Sequence, residues 1–198
     1  MDEVIRITSD YSIDDKLINF CKTSHFSDDP TAENMEFIDW ENRPETLLNQ
    51  IFIQRVYDKG GYFCLERDGE YVAGCGYYPF EGDENIAVCP VRLYVTPDQG
   101  IFTGHKLLQK IQQKTLEYVS KQNHKMLLCF VNEHNMWRTK FLDKWKNPRK
   151  NYKSVFPGIP TKMYQHKVEY KFTPQWAFYV DYGNYEEKLI SCLQKITL

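Results

Sequence analysis

The sequence predicts a mixed α/β fold, with a mostly antiparallel central sheet of about six to seven strands and helices on both faces. Three observations carry that expectation. Asp68-Gly69 separates two runs of strand type, and this dipeptide supplies the positive φ angles of a tight hairpin. Lys125 to Val131 is a nearly continuous apolar run of strand length, the pattern of a strand covered on both faces. Between them lies a helical stripe of Leu107, Leu108, Ile111, Thr115, Tyr118 and Val119. Strand, helix and strand in that order make a right-handed crossover with parallel strands.

From the start of the chain, Val4 to Thr8 alternates as a short strand, and Ser9-Asp10 offers caps for a helical stretch around Ile13 to Cys21. Thr23 to Arg43 is polar, aromatic and acidic and reads as a long irregular segment. Pro44-Glu45-Thr46 then opens a helix, with Leu47, Leu48, Ile51, Phe52 and Val56 on one stripe and Gly60-Gly61 as its end. Tyr62 to Arg67 and Glu70 to Tyr78 form the two arms of the hairpin. The polar turn Glu81 to Asn85 leads into a third strand, Ile86 to Val95. Pro90 interrupts that strand and, having no N–H to donate, marks an edge, a bulge or a split in the sheet. The longest helix is expected over Gly104 to Gln122, followed by the Lys125 to Val131 strand and a second helix around Asn135 to Trp145. Strands over Tyr164 to Phe172 and Trp176 to Val180 and a helix over Tyr185 to Ile196 complete the chain.

A chain of 198 residues is expected to form one domain. Apolar residues make up 42% and charged residues 26%, the balance of a soluble globular protein. No window approaches the ~18 apolar residues of a spanning helix. The acidic start Met-Asp-Glu-Val lacks the features of a secretory signal, so a cytoplasmic protein without membrane contact is expected. The six cysteines are scattered and form no C-x-x-C pair, which reads as reduced, buried thiols. His124, Cys129 and His134 lack the short-spaced pairs of a zinc site, so no metal is expected. A net charge of −2 supplies no global field for nucleic acid. Such a partner would have to use the basic run from Arg138 to Lys153, which also reads as a solvated surface or a phosphate seat. The oligomeric state is left open, a homodimer included.

The chemistry concentrates after Val95. Gln99, Gly100, Ile101, Phe102, Thr103 and Gly104 lie between a strand and the start of a helix, where unpaired N–H groups converge and the helix dipole adds positive charge. That is an anion seat, although a plain strand-to-helix connection has the same local sequence. At these residues the sequence resembles the GNAT superfamily of acyl-CoA N-acyltransferases, whose motif is Gln/Arg-x-x-Gly-x-Gly/Ala. Gln99 fills its first position and Gly104 its last, while Phe102 replaces the central glycine and crowds the approach of backbone to phosphate. Arg92 to Pro97 is similar to the family's preceding strand, and Cys129 to Trp137 to its next strand with the asparagine beyond it.

The resemblance spans roughly residues 4 to 180 and implies a divergent N-acyltransferase domain over 1–198. It implies acetyl-CoA as acyl donor, with pantetheine along the main chain of Leu93, Tyr94 and Val95. The pyrophosphate would sit on the amides of Gln99 to Gly104, and Asn132 would face the pantetheine. Asn132 also reads as a helix cap. An amine of a small molecule or protein would attack the thioester directly, and the acidic segment Phe26 to Trp40 would suit a cationic acceptor. Thr139 stands where many members carry a tyrosine acid, leaving Tyr94 or Tyr152 for that role. Cys89-Pro90-Val91 has no carboxylate where many members carry a base, leaving Glu84, Glu81 or an acidic residue of the 23–43 segment as candidates. These departures also fit a non-catalytic module that keeps the fold and coenzyme A.

Overall fold

The computed structural model of the chain describes residues 2–8, 14–23, 60–81, 83–132, 156, 158–170 and 173–198. The helices expected from Pro44 and from Asn135, the acidic segment and the basic run lie outside the described residues. Seven strands are described: β1 (Glu3–Ile7), β2 (Gly61–Arg67), β3 (Glu70–Phe80), β4 (Asp83–Val95), β5 (Met126–Asn132), β6 (Lys162–Tyr170) and β7 (Thr173–Asp181). Three helices accompany them, α1 (Asp15–Lys22), α2 (Ile101–Val119) and α3 (Glu186–Gln194). The strand order is β1-β2-β3-β4-β5-β7-β6. β1 with β2, β2 with β3, β5 with β7 and β6 with β7 are antiparallel. β4 and β5 are parallel, from Ile86 against Met126 to Val88 against Leu128, as the crossover pattern requires.

The chain divides into two compact units, Met1–Pro79 with Cys89–Gln122, and Phe80–Val88 with Asn123–Leu198. In the first, Asp68 (φ 52°) and Gly69 (φ 87°) close the hairpin between β2 and β3 in the left-handed region that the dipeptide signals. Alternation along β2 sends Tyr62 and Cys64 to one face and Phe63 to the other. Tyr62 and Cys64 join Ile7, Tyr71, Tyr94 and the α1 residues Leu17, Phe20 and Cys21 in one buried cluster. Phe63 packs edge-on against Tyr118 of α2, with ring centroids 5.3 Å apart. Helices therefore cover both faces here. The α1 start is set by Asp14, whose Oδ1 accepts from the Leu17 N–H at 2.9 Å; the expected caps Ser9-Asp10 lie outside the described residues. On the α2 face, the Arg6 guanidinium lies 4.6 Å over the Tyr118 ring and donates to the Tyr77 hydroxyl at 3.1 Å. Burial pushes that phenol up to about 12, so it stays neutral. Gly74 is where Tyr62 crosses the sheet surface. A Cβ there would lie 2.5 Å from Tyr62 Cε1 and 2.8 Å from Cζ.

The second unit is organised by two aspartates. Asp83 is buried and accepts from the Asn85 N–H (3.0 Å), Asn85 Nδ2 (2.9 Å) and the Tyr185 hydroxyl (2.6 Å). Asp181 gathers the N–H groups of Gly183, Tyr185 and Glu186 at 3.0–3.2 Å, which caps α3 from the end of β7. β6 is the outer strand, and the chain's last residues pair with it. The Glu169 N–H donates to the Ile196 carbonyl at 2.7 Å, the Leu198 N–H donates to the Lys167 carbonyl at 3.0 Å, and Val168 bridges Thr197.

Burial alone would raise both carboxyls, but hydrogen bonds from Tyr185 and Asn85 to Asp83, and from backbone amides to Asp181, hold them below the usual aspartate value. A folded-state pKa below the unfolded one gives stability that is complete above about pH 4 and is lost as pH falls through the folded value. Urea midpoints should therefore decline below about pH 4, and Asp83→Asn should flatten part of that decline. Parallel declines in the variant and the parent protein would remove Asp83 from this account.

None of the six cysteines is in a disulfide, and five of them are buried. α2 begins at Ile101, three residues before the expected Gly104, because a single 3-10 turn over Pro97–Gln99 and the conformation of Gly100 carry the chain straight into the helix.

Candidate functional site

β4 ends at Val95, and Thr96 fixes the turn beyond it. Its N–H donates to the Val72 carbonyl of β3 at 2.9 Å, and its carbonyl accepts from the Gln99 N–H at 3.3 Å. Both bonds hold the turn against the sheet. The Thr96 side chain is buried, and its hydroxyl oxygen has no hydrogen-bond partner.

Gly100 then adopts φ 67° and ψ 167°, a region that essentially only glycine occupies. No side chain caps α2. The first return bond of the helix is Gly104 N–H to the Gly100 carbonyl, at 2.8 Å, so the amides of Ile101, Phe102 and Thr103 have no acceptor within the helix. These three N–H groups and the positive end of the helix dipole lie in the first turn of α2, where the sequence predicts an anion seat. The Phe102 ring is 86% exposed and the first turn is intact.

The two glycines differ in what they require. A Cβ at Gly100 would meet nothing within 4 Å but would be strained by the backbone, whereas a Cβ at Gly104 would rest 3.4 Å from Val95 Cγ1 in ordinary contact. Gly100→Ala should therefore destabilise by about 1–3 kcal/mol. Gly104→Ala should be neutral or stabilising by up to ~1 kcal/mol. Chemical denaturation of the two variants separates these outcomes.

Gln99 is anchored from a distance. Its Oε1 accepts from Arg67 Nη1 at 3.3 Å, and its Nε2 donates to Asp98 Oδ2 at 3.0 Å. Arg67 in turn grips Asp2 through Nε (2.7 Å) and Nη2 (3.0 Å), and Lys110 of α2 reaches the same carboxylate at 2.9 Å. The hydrogen bonds from Arg67 and Lys110 hold the Asp2 carboxyl well below the usual range. Arg67, Asp2 and the buried Thr96 hydroxyl carry no sequence signal. Only the Thr96-Pro97 pair at a strand end marks a turn.

No protein-family profile matches the sequence, and no curated protein matches it. Solved structures do. The chain is similar to the PaiA N-acetyltransferase of Thermoplasma acidophilum in complex with coenzyme A, at 15% identity and a TM-score of 0.56, over 92% of this chain and 99% of that one. The ribosomal-protein-S18-alanine N-acetyltransferase of Escherichia coli matches at 10% identity and a TM-score of 0.54, over 92% and 95%. An acetyltransferase of the GNAT family from Staphylococcus aureus Mu50 matches at 12% identity and 0.51, over 92% and 99%. This chain has the GNAT acetyltransferase fold.

The GNAT fold separates the remaining residues singled out from sequence. Leu93 and Val95 are half-buried on β4 and share a strand face, with Val95 beside Gly104. Tyr94 points to the opposite face. It is buried edge-on against Phe20 at 5.4 Å, and its hydroxyl donates to the Thr23 carbonyl. Burial first, and then nearby Asp98 and Cys21, push that phenol up to about 12 against the lowering effect of the Thr23 bond. Glu84 is exposed in the first residues of β4, and its carbonyl oxygen is 3.1 Å from His124 Nδ1. Asn132 is the last residue of β5, opposite Gln175 of β7. Tyr152 and Thr139 lie outside the described residues. Among the described residues no helix is long and apolar enough to cross a membrane.

Proposed function

We propose that residues 1–198 act as a single N-acyltransferase domain that moves an acetyl group from acetyl-CoA to a primary amine of a small molecule or protein. The observation that carries this reading is the uncapped first turn of α2, directly after β4 in a GNAT fold. A coenzyme A complex among its structural neighbours supports the choice of anion. The residues fit the group. Ile101, Phe102 and Thr103 offer amides to the pyrophosphate, Gln99 and Gly100 shape the approach, and Thr96 holds the turn. Leu93, Tyr94 and Val95 would contribute main chain to the pantetheine, and Asn132 would face it, as the family resemblance implies.

Acetyl-CoA supplies an activated acyl group, so the protein's part is to position the amine, remove its proton and protonate the departing thiolate. Glu84 is the base we would test first. Tyr94 and Tyr152 are the two acids in our reading. The Tyr94 hydroxyl would have to leave the Thr23 carbonyl to serve, which makes Tyr152 the first to substitute. The acceptor would meet the acidic segment around Asp28, Asp29, Glu33 and Glu36.

A second reading, a non-catalytic module that binds coenzyme A, is favoured by the carboxylate-free Cys89-Pro90-Val91 stretch and by Thr139. Thermal unfolding with acetyl-CoA tests what both readings share, because a ligand of the folded state raises the melting temperature. No shift at millimolar acetyl-CoA would defeat both. A shift without thioester consumption across an amine panel would leave the module.

A further inference from the structure

We infer that Phe102 is a binding residue for the adenine of coenzyme A, stacking its ring on the base while the neighbouring amides hold the pyrophosphate. The inference rests on the acyl-CoA reading above and adds a residue that the family motif does not supply, since the motif has glycine there.

Three observations carry it. The first is exposure. Leu107, Leu108 and Ile111 of α2 are buried, whereas Phe102 is 86% exposed, the largest value among exposed large hydrophobic residues in the described chain. Most of its ring surface is therefore open to a ligand. The second is direction. Side chains on a helix lean toward its N-terminus, so a first-turn phenylalanine leans toward the end where the free amides converge. The third is company. His105 and Lys106 are both exposed and lie three and four residues on, on the same side of the helix.

An open aromatic ring, a cationic side chain and unpaired amides within the first two turns of α2 match the adenosine 3′-phosphate end of coenzyme A. In that molecule the pyrophosphate is followed by one ribose, which bears both a purine and a phosphate. A purely apolar partner would leave Lys106 and the amides unused.

The test compares coenzyme A with 4′-phosphopantetheine, which lacks the adenosine half, in the parent protein, Phe102→Leu and Phe102→Trp. Leucine keeps apolar bulk without a π face. Calorimetry should show Phe102→Leu binding coenzyme A about five- to a hundredfold more weakly, the span of one base–aromatic stack, with 4′-phosphopantetheine unchanged. Phe102→Trp should retain affinity, and its added indole emission should be quenched by coenzyme A and not by 4′-phosphopantetheine. Equal coenzyme A affinity in the parent and the leucine variant would overturn the inference, as would equal weakening of both ligands, which would indicate a distorted turn. An exposed Phe102 that instead serves a protein partner would give the first of these results. Failure of the parent protein to bind coenzyme A at all would defeat the acyl-CoA reading itself.

Discussion

Gly74→Ala is expected to destabilise the fold by about 3 kcal/mol, the upper range for overpacking a filled core. At this chain length that lowers the melting temperature by about 10 °C. The added methyl would fall against the hydroxyl, Cε1 and Cζ of Tyr62. Tyr62 cannot swing aside, because it is fully buried among Leu17, Phe20 and Cys64. Removing only the hydroxyl does not help, since Cε1 would still lie 2.5 Å from the new carbon. A double-mutant cycle gives the sharper check. Tyr62→Val should be destabilising alone yet partly rescue Gly74→Ala, with a coupling of about 0.5–3 kcal/mol. Additive losses would mean that the methyl is accommodated by a shift of the sheet.

Thr103→Asp is expected to separate stability from ligand binding. A carboxylate in the first turn of an uncapped helix interacts favourably with the helix dipole, so the folded state should gain about 0.3–1 kcal/mol. The same negative charge would stand beside the pyrophosphate. Two unit charges about 5 Å apart repel by ~1 kcal/mol in water and ~3 kcal/mol near a protein surface. Coenzyme A affinity should therefore fall about five- to a hundredfold, and less at high salt. Thr103→Asn is the control, with similar size and no charge. The site reading fails if Thr103→Asp binds coenzyme A as the parent does while its stability rises. A melting temperature that falls would instead mean that the first turn is not free.

Local signals are legible in this sequence and long-range ones are not. Asp68-Gly69 predicts its turn because the two residues dictate their own φ angles, and the parallel pairing of β4 with β5 comes from the strand–helix–strand order alone. α2 starts three residues earlier than its sequence suggests because Gly100, which reads as a bend, is the helix's first flanking residue. Gly104 reads as room for a ligand, and a Cβ added there would rest in ordinary contact with Val95. The Leu93, Tyr94 and Val95 alternation shows that Tyr94 faces away from its neighbours. Which face meets α1 depends on Phe20 and Thr23, some seventy residues earlier. Arg67 and Asp2 reach Gln99 through the fold of a hairpin and an outer strand, and nothing near Gln99 announces them.

The pairing of Ile196 to Leu198 with β6 bears on how copies of this protein meet. An outer strand with open N–H and C=O groups is a template on which another chain can add a strand. Here two of those groups, on Lys167 and Glu169, are already taken by the tail that leaves α3. Strand addition at this stretch must first displace a piece of the same polypeptide, tethered next to its target and always at high local concentration. The outer edge is thus guarded by competition within the chain, which does not weaken as the protein is diluted or concentrated.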